Sequence, residues 1–472
     1  MLERRCGRVL FRCALLVAGL LSGSHAVAAQ EVSQGRWVPH AKAITLSEAL
    51  RFARAHNPSL HLARARVKAA LVAAEAPGAQ WLPSVNGTAQ LFGATMNNST
   101  AAILANNGVS LPRVGATRIA TQPDLAPYAS SLVAVGARQQ LFDFGRIAAQ
   151  SAALDAQTEL ARRMEDGAQL DVSLQVAEAF HAVRAARSVE VAAREAAGRA
   201  SAHREAARAG VEAGLRTPVD VARAEAEVAR FDVAQVRAEG ALAAAQALLA
   251  AVVGVPEQAL DAGGGGEERG TLPPFSELLQ RARRQSVEVR QAEAQVEVSR
   301  AETRALEAQL RPDLALAAAL SGRAGGAPPT NGETIPGYGF APIVPNWSVG
   351  VVLNVPLHDP TIKARRDALR EIEVVKAAEL GAARLAQIAA VRQAYIATET
   401  AQVALLALDR AAISARANHA QAEARFEAGL GTVLELIDAE AVRVEAEVQR
   451  AIGEFEAARA RVLLDRVVAE AR

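Results

Sequence analysis

Hydrophobic residues follow a helical period through most of the chain and a period of two in four short segments. The alternating segments lie at about residues 83–93, 131–142, 312–321 and 346–356. In the first of them, Val85 and Leu91 fall on one side of the alternation, and Asn86 and Gln90 fall on the other. The pattern predicts strands with one apolar face and one polar face.

The same order of elements occurs in both halves of the chain. The stretch from Leu46 to Leu50 matches the stretch from Phe275 to Leu279, which begins 229 positions later. Each half then shows the pattern of a helix, two strands, a long helix, a turn and a final helix. The sequence therefore predicts a tandem duplication.

A second repeated stretch marks a tight turn between two helices. Residues 211–221 recur as residues 426–436, with Gly214 and Gly429 at the same place in each copy. Glycine readily adopts the positive φ that commonly ends a helix. Each copy therefore predicts the tip of a helical hairpin.

The residues after each glycine predict the start of the next helix. Thr217 and Thr432 have the side chain of an N-cap, and Asp220 and Glu435 follow at the spacing of a capping box. Pro218 takes the first helical position in the first copy. In this interpretation the two carboxylates stabilise helix starts.

The longest helices fix the expected dimensions. Residues 145–209 and 360–428 are rich in alanine and lack internal proline, so each helix would be on the order of 100 Å long. Two shorter helices, at about 46–76 and 218–253, would stack end to end beside the first. Heptad seams on two sides of the last helix predict neighbours on both sides, as in a closed ring of helices. A two-stranded coiled coil is the alternative, but it leaves the strands without a role.

The N-terminus has the features of a secretion signal. A basic segment precedes a short apolar core and a small-residue cleavage site at residues 26–28. Cleavage there would remove Cys6 and Cys13, the 2 cysteines of the chain, and with them any thiolate metal site. The predicted organisation is a signal peptide at 1–28, an N-terminal extended segment at 29–44, a first repeat at 45–254, a linker at 255–274 and a second repeat at 275–472.

Composition excludes several classes of function. The net charge is +1 with interspersed acids and bases, so no nucleic-acid partner is expected. We find no zinc-protease or phosphate-loop motif, and therefore expect no cofactor, no metal and no enzyme activity. Downstream of the signal we expect no transmembrane helix, because the apolar run at 241–255 is short and mostly alanine.

Four strands cannot form a closed membrane barrel by themselves. The smallest such barrels need about eight strands, and an open sheet edge is not tolerated in lipid. If the strands enter a membrane, several subunits must pool them. A trimer would supply 3 × 4 = 12 strands.

Taken together, these features resemble the TolC-type outer-membrane factors, which are the exit ducts of Gram-negative efflux pumps and type I secretion systems. The resemblance extends over essentially all of the mature chain and lies in the duplicated order of elements, the strand-to-helix junctions and the tips. The junctions are residues 141–145 and 356–359, and the tips are residues 213–215 and 428–430. The junctions contain Asp-Phe-Gly and His-Asp-Pro, where the family commonly has Asp-Gly-Gly.

The resemblance implies a mainly α fold with a transmembrane β-barrel contribution. It implies a homotrimer in the outer membrane, with a 12-stranded shared barrel in lipid and a long periplasmic helical tunnel. It also implies that the tips dock on a periplasmic adaptor, the membrane fusion protein, which links the duct to an inner-membrane transporter. The exported substrate is not visible in the sequence.

The resemblance also implies positions for a gate at the periplasmic aperture. Glu435 and Asp438 fall where the family places acidic residues, Asp220 lies at the matching point of the other hairpin, and Phe426 falls where the family has a gating aromatic. Repeated carboxylates in a narrow mouth favour cations. For Asp220 and Glu435 the alternative is that they only cap helices. Asp438 lies beyond the cap.

At the tips, Gly214, Leu215, Gly429 and Leu430 are candidate contacts for the adaptor. For the two leucines the alternative is packing that closes the turn.

Two other classes of protein compete with the duct. A periplasmic adaptor or coiled-coil scaffold would have one hairpin without two pairs of alternating strands. A secreted enzyme would need a convergent polar cluster, and the sequence suggests none.

Overall fold

A computed structural model describes residues 42–95, 127–214, 216–264, 271–325 and 344–468. The predicted signal peptide, most of the N-terminal segment, most of the two strand-connecting loops and Leu215 lie outside the described residues.

Helices make up most of the described chain. They are α1 (Leu46–His56), α2 (Pro58–Glu75), α3 (Arg146–Glu212), α4 (Pro218–Val253), α5 (Phe275–Gln285), α6 (Val287–Glu307), α7 (Pro360–Glu427) and α8 (Val433–Val468). The longest two, α3 and α7, have 67 and 68 residues and are therefore about 100 Å long. The expected long helices are confirmed.

Six strands are described. They are β1 (Lys42–Ile44), β2 (Ser84–Thr95), β3 (Pro127–Phe142), β4 (Leu260–Ala262), β5 (Asp313–Gly325) and β6 (Val344–Asn354). Strands β2, β3, β5 and β6 form an antiparallel sheet in that order. The expected mainly α fold with four sheet strands per chain is confirmed.

The sheet has the two faces that the alternation predicts. Val85 pairs with Ala137 and Leu320 pairs with Trp347, so exposed apolar residues collect on one face. The opposite face carries polar residues, among them Asn86, which pairs with Gly136. An apolar face on one side and a polar face on the other suit a sheet between lipid and water.

The first helix of each half is divided into two. We expected one helix at 46–76, but it divides at Asn57, whose Oδ1 accepts a hydrogen bond from the Ser59 N–H at 2.8 Å. The Asn57 Nδ2 donates to the Val252 carbonyl at 2.7 Å and so fixes the break against the end of α4. The second half divides at Ser286 in the same way. A local sequence pattern could not predict this long-range hydrogen bond to Val252.

The two halves lie side by side. Helix α3 packs against α1, α2 and α4 in its own half, and against α6 and α8 of the second half. Helix α8 therefore has α7 on one side and α3 on the other. A core of buried Val176, Phe180 and Leu249 joins α3 to α4. The packing agrees with the two seams predicted for α8.

The segment expected to be a plain linker contains a strand. β4 pairs in parallel with β1, so that Lys42 lies opposite Leu260 and Ile44 opposite Ala262. Asp261 in β4 forms an ion pair with Arg187 of α3 and accepts a hydrogen bond from Gln246 of α4. The linker is thereby bound to the middle of the first half.

Helix α4 differs from the expectation that no helix after the signal is long and apolar enough to span a membrane. It contains an 18-residue window with a mean hydropathy of 1.5, so by length and composition alone it could cross a membrane. The alanines of α4 supply much of this hydropathy, and they also let it pack along α3. Its Ala224, Phe231 and Ala238, spaced seven residues apart, are buried.

Candidate functional site at the hairpin tips

Both hairpin tips turn on a glycine with positive φ. The φ is 72° at Gly214 and 71° at Gly429, as the sequence predicts. Backbone hydrogen bonds close the turns, from Arg216 N–H to the Gly210 carbonyl at 3.1 Å and from Leu430 N–H to the Arg425 carbonyl at 2.8 Å. A Cβ at either glycine would meet no atom within 4 Å, so both tips are open to an approaching partner.

The first carboxylate of each tip caps a helix. Asp220 Oδ2 accepts from the Thr217 N–H at 3.1 Å, and this hydrogen bond lowers the pKa of the Asp220 carboxyl. In the second tip, Glu435 N–H donates to Thr432 Oγ1 at 3.2 Å, and Glu435 Oε2 accepts from Thr432 N–H at 3.4 Å. The capping interpretation is therefore confirmed for Asp220 and Glu435, while a role for either in a gate stays a prediction.

Asp438 lies one turn further along α8. Its side chain is exposed, and it takes no part in the capping box. It therefore carries a solvated negative charge next to the tip, which is what a cation-selective mouth requires. Its role in a gate stays a prediction.

Phe426 is buried inside the tip region. Only 6% of its surface is exposed, and it packs with Val433 and Leu436. The guanidinium carbon of Arg216 lies 3.6 Å from the centre of the Phe426 ring, a cation–π contact. Arg216 belongs to the first tip and Phe426 to the second, so this contact ties the two tips together. Leu430, by contrast, is 76% exposed.

A buried charge cluster behind the tips was not foreseen. Glu440 of α8 is 1% exposed, and its Oε1 accepts from Arg199 Nε of α3 at 3.1 Å. Its Oε2 lies 2.9 Å from His419 Nε2 of α7 and 3.2 Å from Arg443 Nε. We call Glu440, Arg199, His419 and Arg443 the junction cluster. It links three helices and both halves of the chain.

Burial changes the acidity of groups in and beside the junction cluster. Burial raises the pKa of the Glu440 carboxyl, although the nearby Arg199 and His419 oppose this shift. Burial also lowers the pKa of His203 on α3, whose ring lies 6.4 Å from that of His419 and 6.5 Å from that of Phe426. One feature of the sequence could have predicted the buried carboxylate. Position 440 lies on the same helix face as the apolar residues Val433, Leu436 and Val444.

Metal binding has no visible support at this site. Within the ranges that the structure describes, no group of three His, Cys, Asp or Glu side chains is arranged to hold a metal ion. The site instead consists of two exposed glycine turns, an exposed carboxylate at Asp438 and the buried junction cluster.

A sheet with one apolar face, continuous with two helices of about 100 Å each, defines an outer-membrane channel with a long helical extension. The chain belongs to the outer membrane efflux protein family, whose model matches residues 49–255 and 278–469. The family comprises channels of the Gram-negative outer membrane rather than enzymes, so the chain is placed in that membrane.

Solved structures show the same fold. The outer-membrane channel CmeC of Campylobacter jejuni is 13% identical, with a TM-score of 0.68 and coverage of 95% of this chain and 94% of that one. The open-state channel MtrE of Neisseria gonorrhoeae is 18% identical, with a TM-score of 0.66 and coverage of 95% and 96%. The outer-membrane protein VceC of Vibrio cholerae is 18% identical, with a TM-score of 0.65 and coverage of 90% and 95%. Compared with curated proteins, the sequence shows no significant match.

Proposed function

We propose that this chain is the outer-membrane exit duct of a tripartite efflux or type I secretion system. It conducts substrates passively from an inner-membrane transporter and a periplasmic adaptor across the periplasm and the outer membrane. The observation that carries the proposal is the direct continuation of the two-faced sheet into α3 and α7, each about 100 Å long. That length supplies a bore far beyond the membrane, whose apolar core is about 30 Å thick.

The working unit in this proposal is a homotrimer. Strands β2 and β6 are the edges of the four-stranded sheet, and an unpaired edge is not tolerated in lipid. Pairing β2 of one copy with β6 of the next satisfies both edges, and three copies give the 12-stranded barrel.

An exposed apolar face on α7 supports the same assembly. Its members are large aliphatic side chains, each at least half exposed: Val374, Val375, Leu385, Ile396, Val403, Leu406 and Ile413. Large apolar side chains exposed in this number along one helix mark an interaction site. In the duct, this face packs against the neighbouring subunit.

The two tips have separate parts in the proposal. Gly214, Leu215, Gly429 and Leu430 contact the adaptor, because the glycine turns are open and Leu430 projects into solvent. Asp438, with Asp220 and Glu435, gives the aperture a negative potential. Phe426 acts on the gate from its buried position, by holding the two tips together through Arg216. The carboxylates act through their charge and perform no chemistry.

The duct is tested by assembly and conduction. We expect chemically crosslinked chains in the outer-membrane fraction to run at three times the monomer mass, and the purified species to form conducting pores in a planar bilayer. A monomer without β-structure or conductance would instead indicate the adaptor or scaffold and contradict the proposal.

Docking is tested by Leu430→Asp, with Leu385→Asp on the α7 face as the comparison. Leu430 is exposed and makes no core contact, so we expect export to fail while pores still form. Leu385→Asp should instead prevent assembly. Normal export by Leu430→Asp would remove Leu430 from the docking site.

A further inference from the structure

Charged residues are rare in the four-stranded sheet. Within the described strands β2, β3, β5 and β6 they are Arg138, Asp313 and Arg323. Two arginines and one aspartate give the sheet of each chain a net charge of +1. A charge in the wall of a water-filled barrel influences which ions enter it, so the placement of these residues bears on what the barrel admits.

Arg138 lies on the polar face of the sheet. It stands opposite Ser84 in the pairing of β2 with β3, and opposite Ala317 in the pairing of β3 with β5. Because side chains alternate along a strand, Arg138 shares a face with Gly136, whereas Val135, which is half exposed, lies on the apolar face. In a membrane barrel the apolar face contacts lipid and the polar face lines the bore. Arg138 therefore belongs to the wall of the bore and has small neighbours on both sides.

The ion pair that Arg138 forms is unequal in exposure. Arg138 Nη2 lies 3.0 Å from Asp313 Oδ2, and the other carboxylate oxygen, Asp313 Oδ1, accepts from Asn354 Nδ2 at 3.1 Å. The Asp313 side chain is 13% exposed, whereas the Arg138 side chain is 56% exposed. The carboxylate is therefore enclosed by its partners, and the guanidinium faces water. Both members of the pair lie on β3 and β5, the two central strands, away from the edges that join subunits.

We propose that Arg138 is a specificity-determining residue that favours anionic solutes in the barrel. This inference rests on the proposed function. In a trimer, three copies of Arg138 form a ring, four residues or about 13 Å along β3 from Phe142, where a β-bulge shifts the register against β5. Fixed positive charge around a watery passage raises the local concentration of anions and lowers that of cations. The ring opposes the negative potential expected at Asp438, and the substrate class it favours is small organic anions that carry carboxylates.

Reversal potentials of single variants test the ring. The assembled protein is placed in a planar bilayer with a KCl gradient from about 10 to about 100 mM, because the screening length on the dilute side is about 30 Å. We expect Arg138→Gln to lower the ratio of chloride to potassium permeability by about two- to fivefold, and Asp313→Asn to raise it. Arg138→Lys keeps the charge and should retain the wild-type ratio. Equal ratios in Arg138→Gln and in the wild type would overturn the proposal.

The double variant Arg138→Gln with Asp313→Asn separates the ring from a purely structural ion pair. It leaves the net charge unchanged and no buried carboxylate without its counterion. Because the exposed member of the pair acts on the bore, we expect a shift in the same direction as in Arg138→Gln, but smaller. A wild-type ratio in the double variant would mean that the pair only joins β3 to β5, and the proposal would fail.

A carboxylate probe tests the substrate class in the same bilayers. When gluconate replaces chloride, we expect its permeability relative to potassium to follow the same order, highest in Asp313→Asn and lowest in Arg138→Gln. No dependence of gluconate permeability on Arg138 would contradict the assignment of organic anions. Pores with unaltered selectivity in these variants overturn the ring alone, whereas a wild-type chain that forms no pores overturns the duct and the ring together.

Discussion

Glu440→Gln replaces one carboxylate oxygen by an amide nitrogen, and we expect it to destabilise this protein more than other changes of that size. It removes the charge of a carboxylate that is 1% exposed and leaves the guanidinium groups of Arg199 and Arg443 without their buried counterion. Breaking one partner of a buried ion pair costs about 3–5 kcal/mol. Arg199 keeps an exposed contact to Glu195 at 3.4 Å, so we expect the lower end, about 3 kcal/mol.

The loss should appear as local opening between the two halves. A change of about 3 kcal/mol corresponds to a roughly 100-fold increase in the population of the opened junction. Hydrogen exchange by mass spectrometry should therefore show loss of protection in α3 around Arg199 and in α8 around Glu440, with the sheet unchanged. Glu445→Gln on the exposed side of α8 is the matched control and should have no effect.

A double-mutant cycle identifies the responsible pair. Combining Arg199→Gln with Glu440→Gln should cost less than the sum of the two single changes, with a coupling of about 2 kcal/mol. If Glu440→Gln increased exchange no more than Glu445→Gln, the junction cluster would not hold the two halves together and the argument would be wrong.

Three further outcomes concern the tips and His203 beside the junction cluster. Asp438→Asn should move the reversal potential of the reconstituted channel toward zero in a salt gradient, whereas an unchanged potential would exclude this carboxylate from the mouth. Gly429→Ala should destabilise by about 1–2 kcal/mol because its φ is 71°, while Gly240→Ala inside α4 should be neutral or stabilising in the same melting assay. Burial lowers the pKa of His203, so its stabilising effect is complete above its ordinary pKa and is lost as the pH falls below it. Hydrogen exchange around His203 should therefore rise as the pH falls from about 7 to 5.5, and it should rise less in His203→Gln. Burial raises the pKa of Glu440, so the stability that Glu440 contributes changes with pH in the opposite direction.

Local patterns predicted the strands, the long helices and the turns well. The alternation of Val85 with Asn86 depends only on neighbouring positions, and the structure places them on opposite faces. Gly214 and Gly429 adopt positive φ because a helix ending at that position needs it. The capping boxes involve residues only three positions apart.

Short or distant pairings escaped prediction. Strands β1 and β4 have three residues each, too few to show a period, and they pair across more than 200 positions. The break at Asn57 is local, with Pro58 at the first helical position, but the hydrogen bond that fixes it against α4 joins Asn57 to Val252, 195 positions away. The bulge at Phe142 depends on the register of β5, which a single strand does not reveal.

The sequence by itself determined the duplicated order of elements, their approximate lengths and the two glycine turns, because each rests on interactions within a few residues. The tertiary structure decided which helices are neighbours, that Phe426 lies under Arg216, and that Glu440 is buried opposite Arg199, 241 positions away. Burial and charge pairing depend on which surfaces meet, and only the packed chain brings those surfaces together.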